Sequence, residues 1–496
     1  MTLSYKQRKV DHVSNLTGGS AWEVNLVTLV APAAVLLWSV LQSRSLFFTP
    51  YTPGACLVDF LLQCGAILFA TTLYSPAPLL LNFFIILPAI VTYFTSNSAL
   101  RPAKIKPTQQ PKHATKADAT KLDQFPIKPF ITSYRGGMII ITCVAILAVD
   151  FKVFPRRFAK VENWGTSLMD MGVGSFVFTA GTVSVRSSLK ESASGKMQPF
   201  LRRFAASLRH SLPLLVLGLI RLYSVKGLDY AEHVSEYGVH WNFFFTLGLL
   251  PPFMAIFQSL FALVPSYAAL AFILSFAYEV ALDENNTNIK EFVFLAPRTD
   301  LFSANREGIF SFIGYLAIFL SGQATGTYAL PRQVILPKTA TLFQKLRSST
   351  VARLVAWAVV WWSLYYVSVS YNRFNLRVSR RLANMPYFLW VSAFNTSQMA
   401  LYCAIETICF PDLYTSPDRE TEKARAEFAT SSVLRAFNRN GLAIFLIANL
   451  FTGAINMTMN TLDMERSESM AILINYLAGV ATVALVLDRF NISIKL

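Results

Sequence analysis

The sequence predicts an all-α fold: one polytopic membrane bundle over residues 1–496 with about 13 transmembrane helices. Three observations predict it. Hydrophobic residues make up 54% of the chain and charged residues only 15%, a balance too apolar for a soluble protein of several domains. About thirteen windows approach the roughly 20 apolar residues that a bilayer-spanning helix needs. The charges fall between those windows, where loops would meet water.

In chain order, the windows run approximately from 22 to 42, 55 to 74, 77 to 96, 134 to 150, 164 to 185, 211 to 225, 241 to 263, 266 to 282, 308 to 323, 351 to 371, 386 to 410, 441 to 459 and 469 to 487. The first is preceded by a polar stretch, Tyr5 to Asn25, so no cleavable signal peptide is expected. After the third window comes a Pro- and Lys-rich linker, 97–132, with Arg101, Lys104, Lys106, Lys112, Lys116, Lys121 and Lys128 against Asp118 and Asp123. Its charge places it in the cytosol, and every other loop then follows by alternation. The same side receives Arg186 to Arg209, Arg332 to Arg347 and the variable loop 412–436. The opposite, lumenal side receives Asp229, Glu232 and Glu236, the loop Asp283 to Glu307, and Asp463 to Glu468. An odd number of spans makes the N-terminus lumenal and the C-terminus cytosolic. Two glycosylation sequons, at Asn15 and Asn285, fall on the lumenal side.

Several function classes drop out. A net charge of +16 is what basic cytosolic loops give a bundle, and no extramembrane basic domain is large enough to bind nucleic acid. The five cysteines lie in apolar windows without C-x-x-C spacing, and the five histidines form no metal-type cluster.

Two loops assigned to the lumen break the charge rule. Phe151 to Asn163 carries Lys152, Arg156, Arg157 and Lys160, and Asn372 to Met385 carries Arg373, Arg377, Arg380 and Arg381. Paired guanidinium forks suit phosphate, although headgroup snorkelling also accounts for such charges. The first of these loops joins an apolar helix, Gly136 to Val149, ending on Asp150, to a second helix beginning at Trp164. Asp150 and Lys160 therefore face each other where a buried site would meet water. Asp170, six residues into the second helix, would lie about 9 Å deeper.

Asp59, Arg221, Glu279 and Glu406 also fall within spans, as interhelical pairs or as the lining of a polar cavity. Gly172-Val173-Gly174-Ser175 permits close approach of a backbone or an acyl chain. Glu236 to Asn242, including His240, Trp241 and Asn242; Ser303 to Gly308, including Asn305 and Arg306; and Ser379 to Tyr387 are polar strings where lumenal loops enter helices.

Ser133 to Met138, Ala145 to Phe151, Phe154 to Glu162, Trp164 to Asp170, Glu236 to Phe244 and Phe302 to Phe312 together resemble the fungal GPI-anchored wall transfer family from end to end, least in 97–125 and 412–436. The resemblance implies an endoplasmic reticulum inositol acyltransferase. It would move a palmitoyl group from acyl-CoA, a co-substrate rather than a bound cofactor, to the inositol 2-hydroxyl of glucosaminyl-phosphatidylinositol at a lumenal site. No metal is implied. The family pattern puts the catalytic pair on Asp150 and Lys160. A looser similarity joins Arg135-Gly136, Asp150, Lys160, Gly165 and Asp170 to the heparan-α-glucosaminide N-acetyltransferase group, which has Asn and His at the positions of Asp150 and Lys160.

For acyl transfer, the reaction needs a base, a cation or donors for the oxyanion, and alignment of both reactants. Either Asp150 takes the inositol proton while protonated Lys160 stabilises the oxyanion, or Asp150 orients a neutral Lys160 that acts as base. No Ser or Cys sits beside an evident base, so direct transfer is expected. Arg156, Arg157, Arg380 and Arg381 would hold phosphates, and Gly172, Val173 and Phe176 would line the acyl chain. Arg135, with Arg202 and Arg203, would receive the nucleotide end of CoA. A transporter with Asp59, Asp170, Glu279 and Glu406 as an ion path, or a non-catalytic subunit of a GPI-assembly complex, are the rival readings.

Overall fold

The computed structural model describes residues 4–96, 122–195, 199–226, 234–257, 264–333, 337, 339, 341–416 and 418–494. Residues 97–121 of the basic linker, with Asp229, Glu232 and Lys338, lie outside them. The described residues form twenty α-helices in chain order: α1 (Tyr5–Val13), α2 (Ala21–Ser45), α3 (Pro53–Thr71), α4 (Pro78–Thr95), α5 (Pro129–Ala148), α6 (Leu168–Ser194), α7 (Phe200–Lys226), α8 (Val234–Tyr237), α9 (Phe243–Phe257) and α10 (Tyr267–Leu282). The second half contributes α11 (Ile289–Leu295), α12 (Leu301–Ala304), α13 (Arg306–Ala329), α14 (Leu342–Ser348), α15 (Thr350–Ser370), α16 (Met385–Cys409), α17 (Arg419–Phe428), α18 (Ser432–Arg439), α19 (Gly441–Thr458) and α20 (Arg466–Arg489).

Each of the thirteen apolar windows coincides with a helix, but ten of these helices are long and apolar enough to cross a bilayer. The other three depart for physical reasons. The described part of α9 is 15 residues and carries Pro251 and Pro252, and α10 has 16 residues. α16 runs for 25 residues but is studded with buried Ser392, Asn395, Thr396, Gln398 and Glu406, which lower its apolarity because it sits inside the bundle. There Asn395 accepts from the Tyr134 hydroxyl at 2.5 Å.

α5 and α13 are also interior, each 78% buried along its apolar window, whereas α4 and α7 are 17% and 11% buried. Apolar side chains left uncovered by protein on the outer helices form the face expected to meet lipid. Small residues set the tightest crossing: a Cβ on Gly181 would stand 2.2 Å from the Phe319 carbonyl oxygen, and one on Gly322 would stand 2.1 Å from that of Phe178. α6 and α13 therefore touch backbone to backbone.

Three intramembrane carboxylates cap helices. Glu406 accepts from Phe130 N–H at 2.7 Å at the start of α5, Glu279 from Met385 N–H at 2.9 Å at the start of α16, and Asp59 from Val433 N–H at 3.3 Å and Ser431 at 2.7 Å at the start of α18. Helix starts offer N–H groups that have no intrahelical acceptor, together with positive dipole ends. These carboxylates are thus tied into packing and do not line a path.

The loops sort into two ends by their contacts. At one end, the N-terminal segment, 151–167, 372–384, 459–465 and 283–305 meet. At the other, Arg332 joins the Asp123 carbonyl to Glu422, and Arg186 pairs with Asp123 at 3.6 Å.

Candidate functional site

Leu168 begins α6, four residues later than the sequence suggested, because Gly165 holds a φ of +139° and Ser167 caps the helix by accepting from Asp170 N–H. A Cβ at Gly165 would lie 2.1 Å from the Thr17 carbonyl oxygen, so only glycine lets the N-terminal segment lie against this loop. Gly19 N–H donates to Thr166 O at 2.8 Å, and Ser379 Oγ donates to Asn163 O at 2.7 Å. The basic loop 151–167 is thereby stitched between the chain start and the second basic loop. Asp170 falls in the first turn of α6, not 9 Å deep.

The charges of both basic loops are answered by carboxylates from distant elements. Lys160 Nζ sits 2.8 Å from both oxygens of Glu236, which accepts from Arg380 at 3.2 Å, and Arg380 Nε donates to Asp170 at 2.7 Å. Ser167 Oγ and Val161 N–H complete the shell of Asp170 at 2.7 and 3.2 Å. Burial works against the charge of Glu236, but Lys160 and Arg380 outweigh it and hold the carboxyl at about 2. Burial likewise opposes the Arg380 charge, and Glu236 and Asp170 reverse the effect and raise it well above the usual range. The four groups form one chain of alternating charge that runs from the half-exposed Lys160 to the buried Arg380 and Asp170.

Lys160 and Glu236 open onto a cavity of about 140 Å³ whose walls include Thr142, Gly172, Val173, Phe176 and Phe445. Gly172, Val173 and Phe176 thus share a space with Lys160, as the sequence suggested. Tyr237 also lines it, and its buried hydroxyl has no hydrogen-bond partner among the described residues. Arg221 and Asn449 complete its polar rim.

Asp150 and Lys160 do not bond to each other. Asp150 Oδ2 accepts from Asn456 at 2.7 Å, and Asn456 Oδ1 accepts from Lys9 Nζ of α1 at 2.6 Å. Burial raises the Asp150 carboxyl above its ordinary range, opposed by Asn456 and Lys9. Asn456 is seven residues beyond Asn449 on α19, so the two share a helix face about 10 Å apart. Asp150 lies further along the face that borders the cavity.

Other expected site residues have protein partners. Arg156 donates to the His12 carbonyl at 3.0 Å, and Arg157 pairs with Glu23 at 2.7 Å. Arg306 donates to Val293 O at 3.0 Å, while Arg381 pairs with Glu307 at 2.9 Å and donates to Asn163 at 2.8 Å. Asn305 Oδ1 accepts from the His240 and Trp241 amides at 2.8 and 2.9 Å, and Asn242 donates to Gly218 O at 2.9 Å. These contacts fold the rim of the site. Arg135 makes no hydrogen bond or ion pair with any described residue. Asn15 and Asn285 are exposed, and Asn15 adopts a left-handed φ of +58°, which Asn tolerates better than most side chains.

Sequence reading missed the roles of Glu236 as counter-ion and of Lys9 and Asn456 as supports of Asp150. An unanswered cluster of cations beside an acidic string was the available signal for Glu236. The pairs themselves span 76, 447 and 306 residues, beyond any local pattern.

Fold and site define a multi-span helical membrane protein with an ion-paired cavity at one end of its bundle. The GWT1 family model matches residues 5–487. The "GPI-anchored wall transfer protein 1" of Gibberella zeae is 56% identical, with 100% of this chain and 99% of the relative covered. The proteins of that name from Aspergillus fumigatus (54%, covering 100% and 99%) and Saccharomyces cerevisiae (39%, covering 99% and 99%) match over nearly their whole lengths. The chain belongs to the GWT1 family.

Proposed function

We propose that the protein is an acyltransferase of GPI-anchor biosynthesis, moving a fatty acyl group, typically palmitoyl, from acyl-CoA to the inositol 2-hydroxyl of glucosaminyl-phosphatidylinositol. The observation that carries this reading is an ion-paired Lys160 in an apolar-walled cavity, with the partly buried carboxylate of Asp150 held by Asn456, two helical turns along α19 from Asn449 of that cavity. In this reading the bundle crosses the endoplasmic reticulum membrane thirteen times, with the N-terminus and the site lumenal.

Asp150 acts as the base that takes the inositol hydroxyl proton. Its partly buried carboxylate is more basic than a fully exposed one, which suits that task. Lys160, held by Glu236, keeps its proton and stabilises the oxyanion or the departing thiolate. The pairing favours this assignment over a neutral Lys160 base. The Tyr237 hydroxyl is a second donor for the oxyanion. Gly172, Val173 and Phe176 receive the acyl chain. The hydroxyl oxygen bonds to the acyl carbon, the thioester C–S bond breaks, and the thiolate takes up a proton.

The test is transfer of labelled acyl-CoA to glucosaminyl-phosphatidylinositol in membranes carrying wild type, Asp150→Asn or Lys160→Met at matched expression. Each variant is expected to fall by about 10²–10⁴-fold with folding retained. Full activity in either removes that residue from the mechanism, and no transfer by wild type moves the protein to transport or scaffolding.

A further inference from the structure

The wall of the Lys160 cavity holds a second cation, Arg221 of α7, and one carboxylate, Glu236. Burial opposes the ionised Glu236 carboxylate, and Lys160, Arg380 and Arg221 support it. Arg380 is itself answered by Asp170 at 2.7 Å. Two cations against one carboxylate leave the wall with an excess positive charge, in surroundings made mostly of apolar side chains. Such a wall attracts an anion.

Arg156, Arg157, Arg380 and Arg381, the basic residues that the sequence offered for phosphate, are occupied elsewhere. Arg157, Arg380 and Arg381 pair with Glu23, Asp170 and Glu307, and Arg156 bonds the His12 carbonyl. Arg221 is both a wall of the cavity and an exposed side chain, so it is reached from outside the protein. It stands on an outer helix, 11% buried along its apolar window, five residues before the last residue of α7 and about 7.5 Å from that end. A charge inside such a helix is kept for a partner or a site. The preceding turn fixes its place: a Cβ on Gly218 would stand 2.8 Å from Phe245 Cε1 of α9, and the Gly218 carbonyl accepts from Asn242 at 2.9 Å. Around it on α7, Leu219, Ile220 and Tyr223 are exposed, an apolar flank suited to lipid chains.

The chemistry of the acceptor meets this arrangement. In phosphatidylinositol the phosphodiester sits on the ring carbon next to the 2-hydroxyl, so a hydroxyl brought to Lys160 carries its phosphate into the same cavity. A guanidinium fork bonds two phosphate oxygens at once. We propose that Arg221 binds the phosphodiester of the inositol lipid and thereby turns the 2-hydroxyl toward Lys160. The diacylglycerol stays outside the cavity, against Leu219, Ile220 and Tyr223. This placement rests on the acyltransferase reading given above.

The experiment uses full-length protein in lipid nanodiscs and measures transfer from palmitoyl-CoA to glucosaminyl-phosphatidylinositol, to its deacylated form glucosaminyl-glycerophosphoinositol, and to glucosaminyl-inositol, which lacks the phosphate. In wild type, KM for glucosaminyl-inositol is expected to exceed that for the glycerophospho form by about tenfold or more, as for loss of a charge-assisted hydrogen bond. In Arg221→Gln, KM for both phosphate-bearing acceptors should rise by a similar factor, while KM for glucosaminyl-inositol and for palmitoyl-CoA stays at the wild-type value. Arg221→Lys should recover part of the loss. Equal use of the two soluble acceptors by wild type overturns the proposal whatever the variants do. So does an Arg221→Gln protein that elutes as wild type in size exclusion and keeps its preference for the phosphate. If neither soluble acceptor is used, an unchanged KM of that variant for the lipid acceptor overturns it. A rise in KM for palmitoyl-CoA instead assigns the charge to phosphates of the donor and also overturns it. No transfer by wild type to any acceptor defeats the acyltransferase function itself, and the placement with it.

Discussion

Asp150 reached the site through the sequence, but its partner did not. An Asp and a Lys ten residues apart across a tight loop invite pairing, yet each takes its support from elsewhere, Asp150 from Asn456 and Lys160 from Glu236. Long basic side chains reach whichever carboxylate the fold brings near, and the fold brings Glu236 from 76 residues away. The Lys9–Asn456–Asp150 chain gives Asp150 its own pH prediction. The upward pull of burial on Asp150 is opposed by the hydrogen bond from the neutral Asn456 amide of α19 and by the charge of Lys9 from α1. Removing Lys9 therefore raises the Asp150 carboxyl further. A base works only when ionised, so the acid limb of the kcat/KM profile in Lys9→Met should move to higher pH, with the plateau rate largely kept. Lys9→Arg should restore the limb. A profile that scales down uniformly, without moving, would show that Lys9 serves only to hold α1 in place.

At the scale of helices, the glycines of α6 divide into two kinds that look alike in sequence. Gly181 is pressed on a neighbouring backbone, but a Cβ at Gly172 meets only Thr142 Oγ1 at 3.9 Å, across the cavity. The sequence showed the glycine-rich run Gly172 to Ser175 and could not say which glycines face a helix and which face space, since both need the same side chain. Substitution separates them. Gly181→Leu forces α6 from α13 and should cost about 3 kcal/mol, seen as a lowered unfolding temperature in detergent. Gly172→Leu should leave that temperature near wild type while raising KM for long-chain acyl donors, and donors with shorter chains should recover the rate. Loss of stability in Gly172→Leu would mean that the position is packing after all. The basic loops follow the same logic. Their breach of the charge rule was legible, whereas its cause was not, because Glu23, Glu236, Asp170 and Glu307 enter from four other segments.

Across the whole molecule, hydrophobic runs located the helices well, because an apolar stretch of this length has few other ways to satisfy its backbone in lipid. What composition could not fix is which helices cross. The described part of α9 and the whole of α10 extend about 22 and 24 Å at 1.5 Å per residue, less than a hydrocarbon core of about 30 Å, so the pair either crosses where the bilayer is locally thinned or returns as a re-entrant hairpin. Both alternatives leave Asn285 on the same side as Asn15, and two occupied sequons would not distinguish them. The connection between the helices does. Pro265 is exposed at the start of α10, whereas Val239 and Asn305 at the other ends of this segment are tied to each other's loops, with Val239 N–H bonded to Ala304 O at 2.9 Å. In sealed microsomes, a Pro265→Cys variant should react with a membrane-impermeant maleimide added from the cytosol. The native cysteines provide the background, four of them buried and Cys56 half-buried. Labelling equal to that of permeabilised vesicles gives thirteen crossings, whereas labelling only after permeabilisation, or not at all, reduces them to eleven. In either case the cavity of Lys160 keeps its walls from α9 and α10's neighbours, but only full crossing lets α9 shield that cavity from lipid along its whole length.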